Sequence, residues 1–230
     1  MNIKKLTIGL ILSLLLGSGM AVAAYDSTGN ERLDRGIKAY ESGDYATALE
    51  IVRYYQGWVV AKLILAKMYQ YGHGVPQDDE TALEWYISAA DPNYQANTEA
   101  QYSLGVMYLG GHGAIENHER AIKWFTEAAE QGHALSQVNL GQIYQDGKAI
   151  PVDNIRAYMW FIIAVHNNKG WNDPILRKEK VAKIMTSNQI AKAQEMASRC
   201  LESNYTDCRD SFLDRFYQIF KRINRFCNPP

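Results

Sequence analysis

The chain has only three cysteines, Cys200, Cys208 and Cys227, and none before Cys200. A lipid-modified cysteine at the amino terminus is therefore excluded. The reactive patterns of common hydrolases are missing too. His118-Glu119 is followed by Ile122 where a zinc-protease helix needs its second histidine, and no serine is followed three residues later by lysine. There is neither a Gly-x-Ser-x-Gly elbow nor a phosphate-binding Gly-Lys-Ser loop, so no catalytic, metal-binding or cofactor-binding residue is assigned. Charge of one sign is lacking as well. Lys and Arg number 24 against 25 Asp and Glu, a net charge of −1 that leaves no electrostatic footprint for nucleic acid. The apolar stretch from Leu6 to Leu16, interrupted by Thr7, Gly9 and Ser13, is shorter than the roughly 20 residues of a membrane-spanning helix.

What the chain does have is a period. Trp85, Trp124 and Trp160 are spaced 39 and then 36 residues apart. Leu65, Leu104 and Leu140 fall in the same register, as do Tyr69, Tyr108 and Tyr144; Gly72, Gly111 and Gly147; Ala82, Ala121 and Ala157; and Ala89, Ala128 and Ala164. A period of this length means stacked units of one supersecondary type. In each unit Ala61, Leu65, Met68 and Tyr69, or their equivalents, form one stripe of a helix. Gly72-His73-Gly74 and Gly111-His112-Gly113 stop it, while the third copy reads Gly147-Lys148-Ala149. Asp78, Asn117 and Asp153 are suited to cap a second helix, whose stripe is Ala82, Trp85, Tyr86 and Ala89 in the first copy. Neither helix buries its stripe alone, so the hairpins must stack. The expected fold is all-α, an α/α solenoid.

The string Leu104-Gly105-Val106-Met107-Tyr108, then Gly111-His112-Gly113, then Ala121-Ile122-Lys123-Trp124-Phe125 and Ala128-Ala129, resembles the Sel1-like repeat, a relative of the tetratricopeptide repeat. Three copies span residues 58–170. Upstream, Gly36-Ile37-Lys38-Ala39-Tyr40 with Gly43-Asp44-Tyr45 and Ala48-Leu49 is similar to a tetratricopeptide-type hairpin, over residues 25–57. Met185 to Ala191 is similar to the helical tail of bacterial members, giving a helical cap over residues 171–230. Departures are Ala66 for the usual glycine, Ala149 for the second loop glycine, Val165 for the second alanine of the final pair, and a first-to-second loop longer by three residues near Asp91-Pro92-Asn93.

The resemblance implies a protein-interaction scaffold whose first helices line a concave face. Opposite the core stripe those helices carry Leu63, Lys67 and Gln70; Tyr102, Val106 and Leu109; and Val138, Gln142 and Gln145. An apolar middle set with a polar rim has the anatomy of an interface; packing between neighbouring first helices is the competing explanation. The expected partner is another protein or peptide. The rival reading is a β-lactamase-like or penicillin-binding hydrolase, since some relatives are linked to that activity. Those relatives carry cysteine pairs in successive repeats, and all three repeats here lack cysteine. A third reading is a peptidoglycan- or glycan-binding envelope protein. His73 and His112 occupy equivalent turns, but first helices about 10 Å apart keep them from sharing a metal. His133 and His166 are placed near hairpin ends with nothing convergent beside them, and the aromatic columns are expected to fill the core.

Lys4 and Lys5, the apolar stretch, and Ala21-Val22-Ala23 form a signal peptide over residues 1–24, with cleavage after Ala23 or Ala24. An uncleaved anchor is the alternative. Losing the leader moves the net charge to −3, and the expected location is periplasmic or secreted. Export makes a disulfide plausible. Residues 187–203 read as one helix and Cys208 as the start of another, which carries Phe212, Phe216, Ile219, Phe220 and Ile223 on one face. That places Cys227 about 28 Å from Cys208, so Cys200 with Cys208 is the favoured pair. Arg209, Arg215, Lys221, Arg222 and Arg225 make the last helix basic. It suits a polar-faced end cap or a weak membrane contact.

Overall fold

A computed structural model describes residues 27–91, 97–148, 150–167 and 172–208. The leader, Cys227 and the apolar face from Phe212 to Ile223 lie outside these residues. Among them are ten α-helices and no strand: α1 (Ser27–Glu41), α2 (Tyr45–Tyr54), α3 (Val59–Tyr71), α4 (Asp79–Ala89), α5 (Thr98–Gly110), α6 (His118–Ala129), α7 (Ala134–Asp146), α8 (Asn154–Asn167), α9 (Asp173–Ala182) and α10 (Ser187–Glu202). The all-helical solenoid expected from the period is the architecture found. Helices pair as α1/α2, α3/α4, α5/α6 and α7/α8, and each second helix also packs on the first helix of the next hairpin. The stack ends at α8, which both α9 and α10 cover. None of the described helices is long and apolar enough to cross a membrane.

The local signals act as their chemistry requires. Asp78, Asn117 and Asp153 accept from the backbone N–H of Thr81, Arg120 and Arg156 at 3.0, 2.9 and 2.9 Å, each satisfying a donor that the start of its helix leaves unpaired. Their own N–H groups donate to the carbonyls of Tyr69, Tyr108 and Tyr144 at 2.9, 2.8 and 2.8 Å, closing each turn. Gly72, Gly111 and Gly147 end the first helices at φ of 67°, 69° and 64°, where a side chain is strained. In the second and third repeats Arg120 and Arg156 lie over the rings of Tyr108 and Tyr144.

In the second and third repeats a ring is seated against helix backbone. A Cβ on Gly105 would stand 2.5 Å from Phe125 Cε1, and one on Gly141 2.5 Å from Phe161 Cε1. Phe125 and Phe161 are fully buried, and so is Tyr86 in the first repeat, where Ala66 takes the glycine's column. The tryptophans correct the sequence expectation. Trp160 is buried, whereas Trp85 and Trp124 are only half-buried against the core. The residue one step on is the core ring. Successive hairpins meet closely as well: a Cβ on Gly113 would overlap the carbonyl oxygen of Asp79, where the second-repeat turn rests on the start of α4.

At the end of the described residues Cys200 and Cys208 are joined in a disulfide, the pairing favoured by the sequence.

Phe125→Ala is expected to destabilise the chain by about 3–5 kcal/mol, more than Trp124→Ala, and Gly105→Ala by about 1–3 kcal/mol through overpacking. Urea denaturation measures all three, and a larger loss from Trp124→Ala would refute the assignment of the core ring.

Candidate functional site

The face formed by α3, α5 and α7 is the surface the repeats build in common, and it holds all nine residues expected to meet a partner. The structure ties many of them into the fold. Val138 is buried. Gln70 accepts from the Tyr86 hydroxyl at 2.7 Å, and burial pushes that phenol's pKa far up. Lys67 is 3.4 Å from Glu99. The Tyr102 ring is half-buried between Phe125 and His133, at centroid distances of 6.0 and 5.0 Å, and burial raises its pKa. Leu63, Val106 and Leu109 are half-buried against the core, and Gln145 is half-buried. Much of the set is therefore engaged within the stack, with Lys67 and Tyr102 meeting the next first helix or its cap and Gln70 meeting the second helix of its own hairpin.

One part of the face opens. Between α5 and α7 lies a groove of about 260 Å³ lined by Leu109, Ile143, Asn139, Gln142, Glu116, His118, Asp146 and Lys148. It brings together two of the expected residues, Leu109 and Gln142, and adds six that sequence reasoning did not select. Leu109 and Ile143 supply its apolar surface. The polar side chains are held in place: His118 Nε2 is 2.7 Å from Glu116 Oε1, Gln142 donates to Asp146 at 2.5 Å, and Arg177 of α9 donates to Gln142 Oε1. Such an arrangement can seat an apolar side chain and hydrogen-bond the chain around it. Among the described residues no three His, Cys, Asp or Glu side chains are grouped to hold a metal ion.

His133 corrects the sequence reading most clearly, because it is not isolated. Its Nδ1 accepts from the Ser136 backbone N–H at 3.3 Å, capping α7. A backbone N–H only donates, so the ring proton sits on Nε2, which is 3.6 Å from Glu99 Oε2. Lys67, Glu99 and His133 thus link the first helices of three successive repeats. Hydrogen bonding from His133 is the main reason that the Glu99 carboxyl titrates below its ordinary value; burial opposes the shift and the Lys67 charge adds to it. His73 is also more than a surface turn. It stacks on Tyr45 at 4.3 Å and meets the Tyr40 hydroxyl at 3.2 Å, and burial pushes the Tyr40 phenol to about 12. His112 fits the turn reading better, with a side chain 61% exposed.

Two buried glutamines complete the junctions. Gln101 accepts from Gln131 at 2.8 Å, and Gln137 accepts from Asn167 at 2.9 Å. Both pairs recur at 36 residues, a signal present in the sequence columns but masked by the apolar ones.

Comparison with known proteins accords with this geometry. The family profile for the Sel1 repeat matches residues 59–92, 98–133 and 134–168. Among solved structures, a Sel1 repeat protein from Oxalobacter formigenes is 22% identical, with a TM-score of 0.55 over 75% of this chain and 77% of that one. A protective antigen present in uropathogenic Escherichia coli strains, displaying an SLR fold, is 24% identical with a TM-score of 0.49, over 77% of this chain and 47% of that one. A search of curated proteins returned no match.

The Glu99 contacts give a pH signature. A carboxyl whose folded pKa is depressed contributes stability above its unfolded value, ordinarily 4.5, and loses it as pH falls through the folded value. Glu99→Gln is therefore expected to lower Tm at pH 7, and the gap to the wild type to close between about pH 5 and about pH 3. Thermal melts across that range check it; a gap that stays constant would contradict the pairing.

Proposed function

The chain contains three consecutive Sel1 repeats, and on that premise we propose that it is an exported scaffold that takes a partner protein or peptide on the face of its first helices. The Sel1 repeat fold supports a protein–protein interaction scaffold, and the solved Oxalobacter relative supports that fold. The observation that carries the reading is the groove between α5 and α7. It is made jointly by the second and third repeats, so it depends on stacking and not on any one hairpin. Its Leu109 and Ile143 surface takes an apolar anchor from the partner, while the Asn139 and Gln142 amides and the Glu116, Asp146 and Lys148 charges select what surrounds that anchor. An apolar centre with a polar rim is how such interfaces divide affinity from specificity. The reading requires no reactive group.

Export is part of the proposal. Lys4, Lys5, the stretch to Leu16 and the Ala21-Val22-Ala23 site support a leader, and the Cys200–Cys208 disulfide suits an oxidising compartment. The partner is then a periplasmic or extracellular protein.

A photocrosslinking residue placed at Gln145 or Val106 is expected to capture a protein partner in the native envelope. The same residue at Glu84 or Lys123, exposed on the second helices, is expected to capture little. Leu109→Asn should weaken capture from Gln145 several-fold while leaving the helical signal unchanged. Capture from the second helices alone would overturn the proposal.

A further inference from the structure

Beyond Glu202 a short turn over residues 203–208 is fastened to the third repeat. Cys200 in α10 is bonded to Cys208, and between them Asn204 and Tyr205 take φ of 51° and 68°, a left-handed conformation that side chains seldom adopt. The turn folds Tyr205 back: its N–H donates to the Cys200 carbonyl at 2.8 Å and its hydroxyl to Asn167 Oδ1 at 2.7 Å, at the end of α8. Asn167 donates to Gln137 Oε1 at 2.9 Å. Gln137, fully buried in α7, donates to the Ala129 carbonyl at 3.0 Å, at the end of α6. The Tyr205 ring lies 3.6 Å from where a Cβ on Gly132 would stand, between those two helices. A continuous line of hydrogen bonds therefore runs from the disulfide turn to the α6–α7 junction. The second repeat has the equivalent Gln101–Gln131 pair, but there Gln131 also donates to its own helix, at the Glu127 carbonyl. The tyrosine is the third repeat's addition.

We propose that the Cys200–Cys208 disulfide is a redox clamp that holds Tyr205 in its left-handed turn and so sets the order of the α6–α7 junction. Reduction by a dithiol transfers two electrons and two protons to the bond: the two cysteines become thiols, and the dithiol closes to its own disulfide. The turn then loses the constraint on Asn204 and Tyr205, and Tyr205 relaxes away from Asn167. Cys200 and Cys208 are both buried, so a reductant reaches the sulfurs only as the turn opens. The clamp is closed by default under oxidising conditions and opens under sustained reduction. Local bonds, such as Asp207 N–H to Ser203 Oγ at 3.0 Å and the Arg199–Asp207 pair at 3.0 Å, would hold the turn without the disulfide if the clamp idea were wrong. The line also leads into α7, whose Gln142 and Ile143 line the groove. Any effect on partner capture rests on the scaffold reading above, whereas the clamp itself does not.

The test is hydrogen–deuterium exchange of the full chain carrying Cys227→Ser, oxidised or reduced by dithiothreitol, with and without Tyr205→Phe. Reduction is expected to speed exchange across residues 129–137 and 160–167 by about fivefold or more, the factor for losing one net hydrogen bond. Oxidised Tyr205→Phe should show a similar rise in the same segments, reduction should then add little, and α3 and α4 should be unchanged. Oxidised rates in the reduced chain, full additivity of the two changes, or a loss spread evenly over α3 and α4 would each overturn the clamp. The wild-type chain, alkylated at Cys227 before reduction, provides the second measurement should the serine variant fold poorly.

Discussion

A phenyl ring lying against bare helix backbone, Phe125 on Gly105 and Phe161 on Gly141, sets how closely the two helices of a hairpin approach. The consequences follow in order. Close approach fixes the stripe that each hairpin shows its neighbour, and the second helix then packs on the first helix of the next repeat. That step repeats along the stack until α9 and α10 close it over α8. The first helices are left side by side, and the face they share is long, partly apolar and open only in places. Function on such a scaffold belongs to the surface between units, which is why a groove made by two repeats carries more meaning here than any single side chain.

Much of this was legible in the sequence, because repetition turns weak local signals into aligned columns. The caps Asp78, Asn117 and Asp153, the turn glycines and the pairing of Cys200 with Cys208 all follow from residue chemistry and spacing. Depth was less legible. Every copy carries a tryptophan followed by a second ring, Tyr86, Phe125 or Phe161, and adjacent residues on a helix differ by about 100° in direction. The period therefore cannot tell which ring is seated inside; the missing side chain at Gly105 does so only once the helices are placed. The role of His133 is hidden from the sequence for a related reason. Its partners Glu99 and Ser136 come from two helices, and capping by an imidazole is not among the usual signals.

The face of the first helices shows the same limit. A stripe opposite the core stripe looks solvent-facing on an isolated helix. In the stack α5 and α7 come together, and residues such as Val138 and Gln70 are drawn into the packing. The groove lies among what stays partly accessible, and beside the expected Leu109 and Gln142 its lining includes the turn residues Glu116 and Lys148, which no single-helix pattern selects. Polar links across the repeats, from Lys67 through Glu99 to His133 and from Tyr205 through Asn167 to Gln137, then hold that face in register.

The central claim is that ring-to-backbone contact sets the hairpin geometry, and a size-exchange cycle tests it directly. Gly105→Ala, Phe125→Leu and the double variant would be compared by equilibrium unfolding. The account predicts strong coupling: the added methyl destabilises the chain beside phenylalanine and is nearly neutral beside the smaller leucine, a difference of about 1 kcal/mol or more. Additive effects, with the methyl equally harmful in both backgrounds, would contradict it.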